Sequence, residues 1–346
     1  MHTSRHQLFA IFLLKIAYAF FAVFVFSKFT SLGDTQDYLH GEHLDRNNIA
    51  STAYLMSFIG VTLGTWGGFI LCLGLSVLGI LYLLEKTRFS ARNNALVMVL
   101  IALPSFGVWT SIFSKEVFVL FSFCLCTGGL IDLLTRRRRF FSLLQIAGLA
   151  LLTFMKPHYS VSIYLSVAGI LAYHAGFRKE LMLALIVLMS VICVGLCIRY
   201  VDEIYQYTQI MPLHFSQSGG STRHNTFWLD EWDFFIYLPI GVPMAFIGPT
   251  LPEAIHSLKL IPSSIEGHFL FGFILLNGWR AVFYGKQLNV MGLLLMMSFV
   301  LVLFMTHYPF GLFNPGSAIR YRSGFIFPLC VFVLFLATRN RPLKGG

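Results

Sequence analysis

Charged residues are scarce in this chain. Asp, Glu, Lys and Arg make up 12% of its 346 residues, against about 25% in a soluble domain. That leaves too little polar surface for a water-soluble fold of this length, which excludes a cytosolic enzyme, a secreted disulfide scaffold and a nucleic-acid-binding domain. Acids are scarcer still, 15 against 25 Lys and Arg. A glycine-rich phosphate loop, a dinucleotide-binding glycine pattern and a GxSxG elbow are all missing. No Pro/Gly/Ser linker and no sustained repeat interrupts the chain, so one transmembrane domain is expected over 1–346. The six cysteines, at 72, 124, 126, 193, 197 and 330, all sit inside apolar runs. There Cys acts as a small hydrophobe, and neither a disulfide nor a zinc framework is expected.

What the chain has instead is apolar sequence. It is 57% hydrophobic with 36 Phe and 12 Met, and its mean hydropathy is +0.74. The apolar runs are continuous rather than alternating, which selects helices over a membrane β-barrel. The first run, 8–27, is too long for a signal-peptide core and reads as a retained first helix; Lys15 inside it reads as snorkelling to the near interface or, alternatively, as a functional charge. Further spans are expected near 62–84, 95–112, 117–134, 141–155, 160–175, 181–199, 265–283, 289–306 and 325–338. The stretch 234–250 is apolar but carries Pro239, Gly241, Pro243, Gly248 and Pro249. Broken backbone survives in a membrane only where protein or water covers it, so this stretch reads as re-entrant or interfacial. The expected fold is therefore an all-α, polytopic transmembrane bundle of about ten spans plus one irregular segment.

The net charge of +10 reflects topology rather than an anionic partner. One group of loops holds Arg5, Lys86, Arg88, Arg92, the run Arg136–Arg139, Arg178, Lys179, Arg280, Lys286, Arg339, Arg341 and Lys344. That is 15 basic residues against three acids, Glu85, Asp132 and Glu180, and it marks the cytoplasmic side. The other 12 acids fall mainly in segments expected outside, 29–58, 200–233 and 307–324. Both termini are then cytoplasmic.

Four features on the expected outer side carry candidate chemistry. After the first span, Gly33 permits a tight turn, and Asp34 lies three residues from Asp37 and four from Tyr38. On a helix these share a face. A carboxylate just beyond the membrane suits a general base for a sugar hydroxyl, and it equally suits an N-cap in a solvated loop. Second, Pro104 breaks the third span, and Trp109, Phe113 and Glu116 recur at helical spacing. There Lys115 and Glu116 form a charged pair at a hairpin tip, suited to a lipid phosphate or to an interfacial anchor. Third, Lys156-Pro157-His158-Tyr159 is another tight turn with one Lys. Fourth, Arg320 and Arg322 flank Tyr321 before the last span, after the turn Asn314-Pro315-Gly316. Arg offers paired donors to phosphate, whether on a substrate or a headgroup. Asp37, His40 and His43, spaced three apart, offer a set that could ligate a divalent metal, but without a strong metal-ligand spacing, and the first expectation is no cofactor.

The fragments GDTQDYL after the first helix, PSFGVWTSIFSKE at the third-to-fourth hairpin and AIRYRSGFIFP entering the last helix resemble bacterial integral-membrane glycosyltransferases of the GT-C type. They also resemble the polymerases that assemble O-antigen and capsule from polyprenyl-linked units. The resemblance covers under a tenth of the chain. It implies an acidic base near the reacting hydroxyl, Asp34 first and Asp37 second. It also implies basic residues on the carrier phosphate, at Arg320, Arg322 and Lys115. The implied partners are a polyprenyl-linked sugar donor, a glycan acceptor and the bilayer, with no nucleotide or nucleic acid. A soluble C-terminal domain like that of larger members is not expected here, which disfavours protein glycosylation. Rival classes are a carrier of lipid-linked sugars, an acyltransferase using a histidine such as His174, and a non-catalytic assembly subunit.

Overall fold

In lipid the backbone must satisfy its own hydrogen bonds, which turns continuous apolar runs into helices. The computed structural model describes residues 5–30, 32–45, 50–176, 179–217, 223–283 and 297–338. It is 83% helical, and no strand occurs among the described residues. In chain order the α-helices are α1 (Arg5–Phe24), α2 (Thr35–His40), α3 (Thr52–Thr87), α4 (Ala91–Ile101), α5 (Pro104–Trp109), α6 (Lys115–Leu134), α7 (Leu143–Met155), α8 (Pro157–His174), α9 (Lys179–Arg199) and α10 (Val201–Gln217). They continue with α11 (Asp233–Ile236), α12 (Leu238–Ile247), α13 (Leu251–His256), α14 (Ile261–Phe283), α15 (Val302–Leu312) and α16 (Pro315–Thr338).

Five described segments are long and apolar enough to cross a membrane: His6–Lys28, Thr52–Thr87, Lys115–Leu134, Leu238–His256 and Pro315–Thr338. The segment Leu238–His256 is counted across a break, because Gly248 at φ +87 ends α12 before α13 begins. The Pro- and Gly-rich stretch 234–250 is thus irregular, as its composition requires.

Several expected boundaries move. The span expected over 95–112 splits, because Pro104 lacks an N–H and holds Leu103 extended at ψ 132. Helix α3 starts ten residues before the expected 62, inside the segment assigned to loop 29–58, and Ser51 caps it by accepting from the Tyr54 N–H. Within it Gly64 takes φ 65, ψ 178, a conformation open essentially to glycine alone. The segments 200–233 and 307–324 are largely helical rather than loop, through α10, α15 and the start of α16. Arg178, Lys286, Arg339, Arg341, Lys344 and the first part of the 289–306 span lie outside the described residues.

The chain divides into two compact units. The first comprises residues 1–163 and 323–336. Its centre is α6, buried almost end to end and flanked by α3 and α7. The body of α16 joins it through Phe325, which meets Phe123 and Tyr159, and through Phe327, which stacks on Phe106 at 5.4 Å. At the C-terminal end of α6, Asp132 takes Lys86 Nζ at 2.6 Å and Gln145 Nε2 at 3.2 Å, with Arg137 Nη1 at 3.9 Å.

The second unit comprises residues 164–322 and 337–346. Trp228, fully buried, is its anchor. Its indole donates to the Tyr308 hydroxyl at 2.8 Å and its ring meets Phe234 and Phe313 edge-on or tilted. Helix α12 lies against α15 so closely that a Cβ on Gly311 would stand 2.5 Å from the Ala245 carbonyl oxygen. Small residues at such crossings let backbones approach where lipid gives no hydrophobic drive.

Candidate functional site

The turn after α1 passes through Gly33 at φ +62 and sets Asp34 at the N-cap of α2. The Asp34 carboxylate does not cap the backbone there. Instead Oδ2 accepts the Tyr38 hydroxyl at 2.8 Å, one turn along, as the spacing of four predicts. Tyr38 is 1% exposed, with its ring edge against Phe113. The Lys115 ammonium lies over that ring, 5.2 Å from its centroid. The Thr35 hydroxyl sits 2.8 Å from the Leu32 carbonyl oxygen and 2.9 Å from that of Phe113, tying α2 to the segment before α6. Gly60 of α3 admits this packing, since a Cβ there would stand 2.5 Å from the Tyr38 carbonyl oxygen. Asp34, Tyr38 and Lys115 therefore form one cluster within the first unit. Asp34 stays half-buried.

The other predicted residues separate from this cluster. Asp37 is half-buried and makes no side-chain hydrogen bond or ion pair among the described residues. His40 and His43 do not converge with it: no group of three His, Cys, Asp or Glu among the described residues could hold a metal ion. Trp109, Phe113 and Glu116 do not share a helical face, because α5 ends at Trp109 and the backbone is irregular until Lys115. Of the expected Lys115–Glu116 pair, Lys115 is half-buried and Glu116 is buried. Glu116 is 2% exposed, about 100° around α6 from its neighbour.

Lys156 ends α7, and His158 enters α8 half-buried with its ring 4.3 Å from that of Tyr159. Burial, and then the adjacent Lys156, push the His158 imidazole down to about 4. At neutral pH it offers a phosphate a hydrogen bond and no charge.

Arg320, Tyr321 and Arg322 belong to the second unit and lie within α16 rather than ahead of it. Positions two apart on a helix face nearly opposite ways. Arg320 is half-buried with its guanidinium 5.7 Å from the Tyr321 ring, which packs on Phe310. Arg322 is fully buried. Its Nη1 donates to the carbonyls of Phe246 at 2.5 Å and Ile247 at 2.8 Å, and Glu266 Oε1 is 3.9 Å from Nη2. Those carbonyls end α12 and carry the negative end of its dipole. Through these contacts Arg322 fastens the break at Gly248.

Two groups escaped the sequence. Arg223 grips Glu253 through both oxygens at 2.6 and 2.8 Å and also donates to the carbonyls of Gly248 and Leu312. Nothing local distinguishes it from a loop arginine. Lys15 is fully buried against Thr110 and Phe106 rather than snorkelling. Its signal was visible, a lysine inside an apolar run, but its partner lies 95 residues away. Comparison of the chain with family models, curated proteins and solved structures yields no match.

Proposed function

We propose that this protein is a multi-pass membrane glycosyltransferase. It transfers a sugar or oligosaccharide from a polyprenyl (di)phosphate carrier to a glycan acceptor, at the outer face of a bacterial inner membrane. Surface polysaccharide assembly (O-antigen or capsule) is its setting, and polymerisation of repeat units is its narrowest form. In this reading the bundle is of the GT-C kind, has about ten spans with both termini cytoplasmic, and uses no nucleotide, cofactor or metal.

The Asp34–Tyr38–Lys115 cluster carries the proposal. The phenol orients the carboxylate, which receives the acceptor's proton. The acceptor oxygen then bonds the anomeric carbon, the bond from that carbon to the carrier phosphate breaks, and the electron pair leaves on phosphate. Lys115 supplies a point charge against that developing negative charge. Asp37, Lys156 and His158 are secondary candidates within the first unit, and Arg320 with Tyr321 is a headgroup contact in the second.

The test is transfer from a synthetic polyprenyl-diphosphate sugar by purified protein in nanodiscs. Wild type transfers, and Asp34→Asn, expressed and folded as wild type, does not. Full activity in Asp34→Asn removes the base, and a wild type inert toward lipid-linked donors with a range of acceptors sinks the reading. A second reading, a carrier of lipid-linked sugars, draws on the broken helix α12–α13 and the buried Glu266–Arg322 pair. Translocation of a fluorescent lipid-linked sugar across vesicles without transfer favours it.

A further inference from the structure

Lys15 sits near the middle of α1 with no exposed surface. Its ammonium donates to Thr110 Oγ1, has the Thr110 carbonyl at 3.5 Å, and stands 4.2 Å from the centre of the Phe106 ring. Among the described residues no carboxylate pairs with it. A cation at membrane depth with only neutral partners is costly to keep and marks a functional candidate. What it holds is specific. The Thr110 hydroxyl passes the bond on to the Phe106 carbonyl. The irregular stretch 110–114 is wholly buried and is fastened twice more, by Thr35 at the Phe113 carbonyl and by the Ser114 hydroxyl donating to Trp109 O at 3.0 Å. The next residue is Lys115, over Tyr38.

We propose that Lys15 is a positioning residue: through Thr110 it sets the stretch 110–114, and so holds Lys115 over Tyr38, whose phenol orients Asp34. Its effect on turnover rests on the transferase reading; its effect on Lys115 does not. The experiment compares Lys15→Met, Thr110→Val and the double variant in nanodiscs. Readouts are the thermal midpoint, the rate at which a membrane-impermeant amine reagent modifies Lys115 (followed by peptide mass spectrometry), and kcat and KM with a polyprenyl-diphosphate sugar.

Each single variant leaves a buried group without its bond, whereas the double variant removes both partners, which can be nearly neutral for stability. The double variant therefore regains the midpoint. Lys115 nevertheless stays about two- to five-fold faster to modify, the factor that a lost cation–π contact represents. Turnover stays about ten-fold low with KM little changed. A double variant that recovers both the midpoint and the wild-type Lys115 rate shows a merely structural pair and overturns the proposal. Folded single variants with wild-type Lys115 rates overturn it too. Where Lys15→Met fails to fold, Thr110→Val and the double variant carry the test. A shifted Lys115 rate alongside a wild type that transfers no sugar upholds the positioning and removes the transferase reading alone.

Discussion

The two ends of α6 are built from the same three residue types, wired differently. At the C-terminal end Lys86 reaches Asp132 directly at 2.6 Å and lies 5.3 Å from the Tyr82 ring, while Gln145 bonds both Asp132 and the Tyr82 hydroxyl. At the N-terminal end Lys115 lies over Tyr38, and it is the Tyr38 phenol that bonds Asp34. Asp132 is 2% exposed and Asp34 is half-buried. A carboxylate sunk among a lysine, an arginine and an amide is a fastening, because its oxygens are already committed. A half-buried carboxylate steadied by a phenol can still be reached from solvent. Residue composition does not separate a clamp from a candidate base; wiring and exposure do.

The largest test of this contrast is all or none. The two ends are expected on opposite sides of the membrane, from the split of basic and acidic segments. On a background lacking the native cysteines, Glu42→Cys should label with an impermeant maleimide on intact cells, and Arg137→Cys only after permeabilisation. Both positions are exposed. The reverse pattern puts Asp34 in the cytoplasm and ends the comparison as a functional one.

Next in size is Asp34→Asn, which should lower transfer at least about a hundred-fold, the low end for removing a general base. Its melting temperature in detergent should stay within a degree or two of wild type. Asp132→Ala should do the opposite. It strands Lys86 and Gln145 near a buried site, and with Lys86 partly exposed the loss is about 2 kcal/mol of stability. Transfer per folded molecule should be unchanged. Asp132→Ala that melts normally but turns over slowly would place the chemistry at the wrong end.

Local rules made part of this legible. The i, i+4 relation of Asp34 and Tyr38 became a real bond, Pro104 broke its helix, and the Pro- and Gly-rich 234–250 broke at Gly248. Helix extent through polar sequence was hidden, because hydropathy cannot show that Val201–Gln217 stays helical; the start of α3 at Thr52 was missed although Thr52–Leu63 is itself mostly apolar. Long-range partners were hidden for a different reason. Lys15 and Thr110, or Arg322 and the carbonyls of Phe246 and Ile247, are 95 and about 75 residues apart. Hydropathy could say that Lys15 was expensive where it stood; it could not say what offsets the cost, nor that Arg322 is buried at all. The same blindness made Arg320 and Arg322 look like a pair, when helix geometry turns them apart.

The smallest predicted effect is also the most discriminating. Tyr38→Phe keeps the ring that packs on Phe113 and lies under Lys115, and deletes only the hydroxyl that reaches Asp34. A hydrogen bond to a charged acceptor contributes about 1.5–3 kcal/mol when buried, and less here because Asp34 is half-exposed, so about 1 kcal/mol is at stake. If the phenol orients a working carboxylate, that energy appears in kcat, as about a five-fold fall with the melting temperature unmoved. Tyr82→Phe is the matched change at the other end, where the lost bond is to Gln145. There the same energy should appear as a lower melting temperature with kcat unmoved. Should Tyr38→Phe behave like Tyr82→Phe, melting lower and turning over normally, then both ends of α6 are clamps, and the base must be sought elsewhere than Asp34.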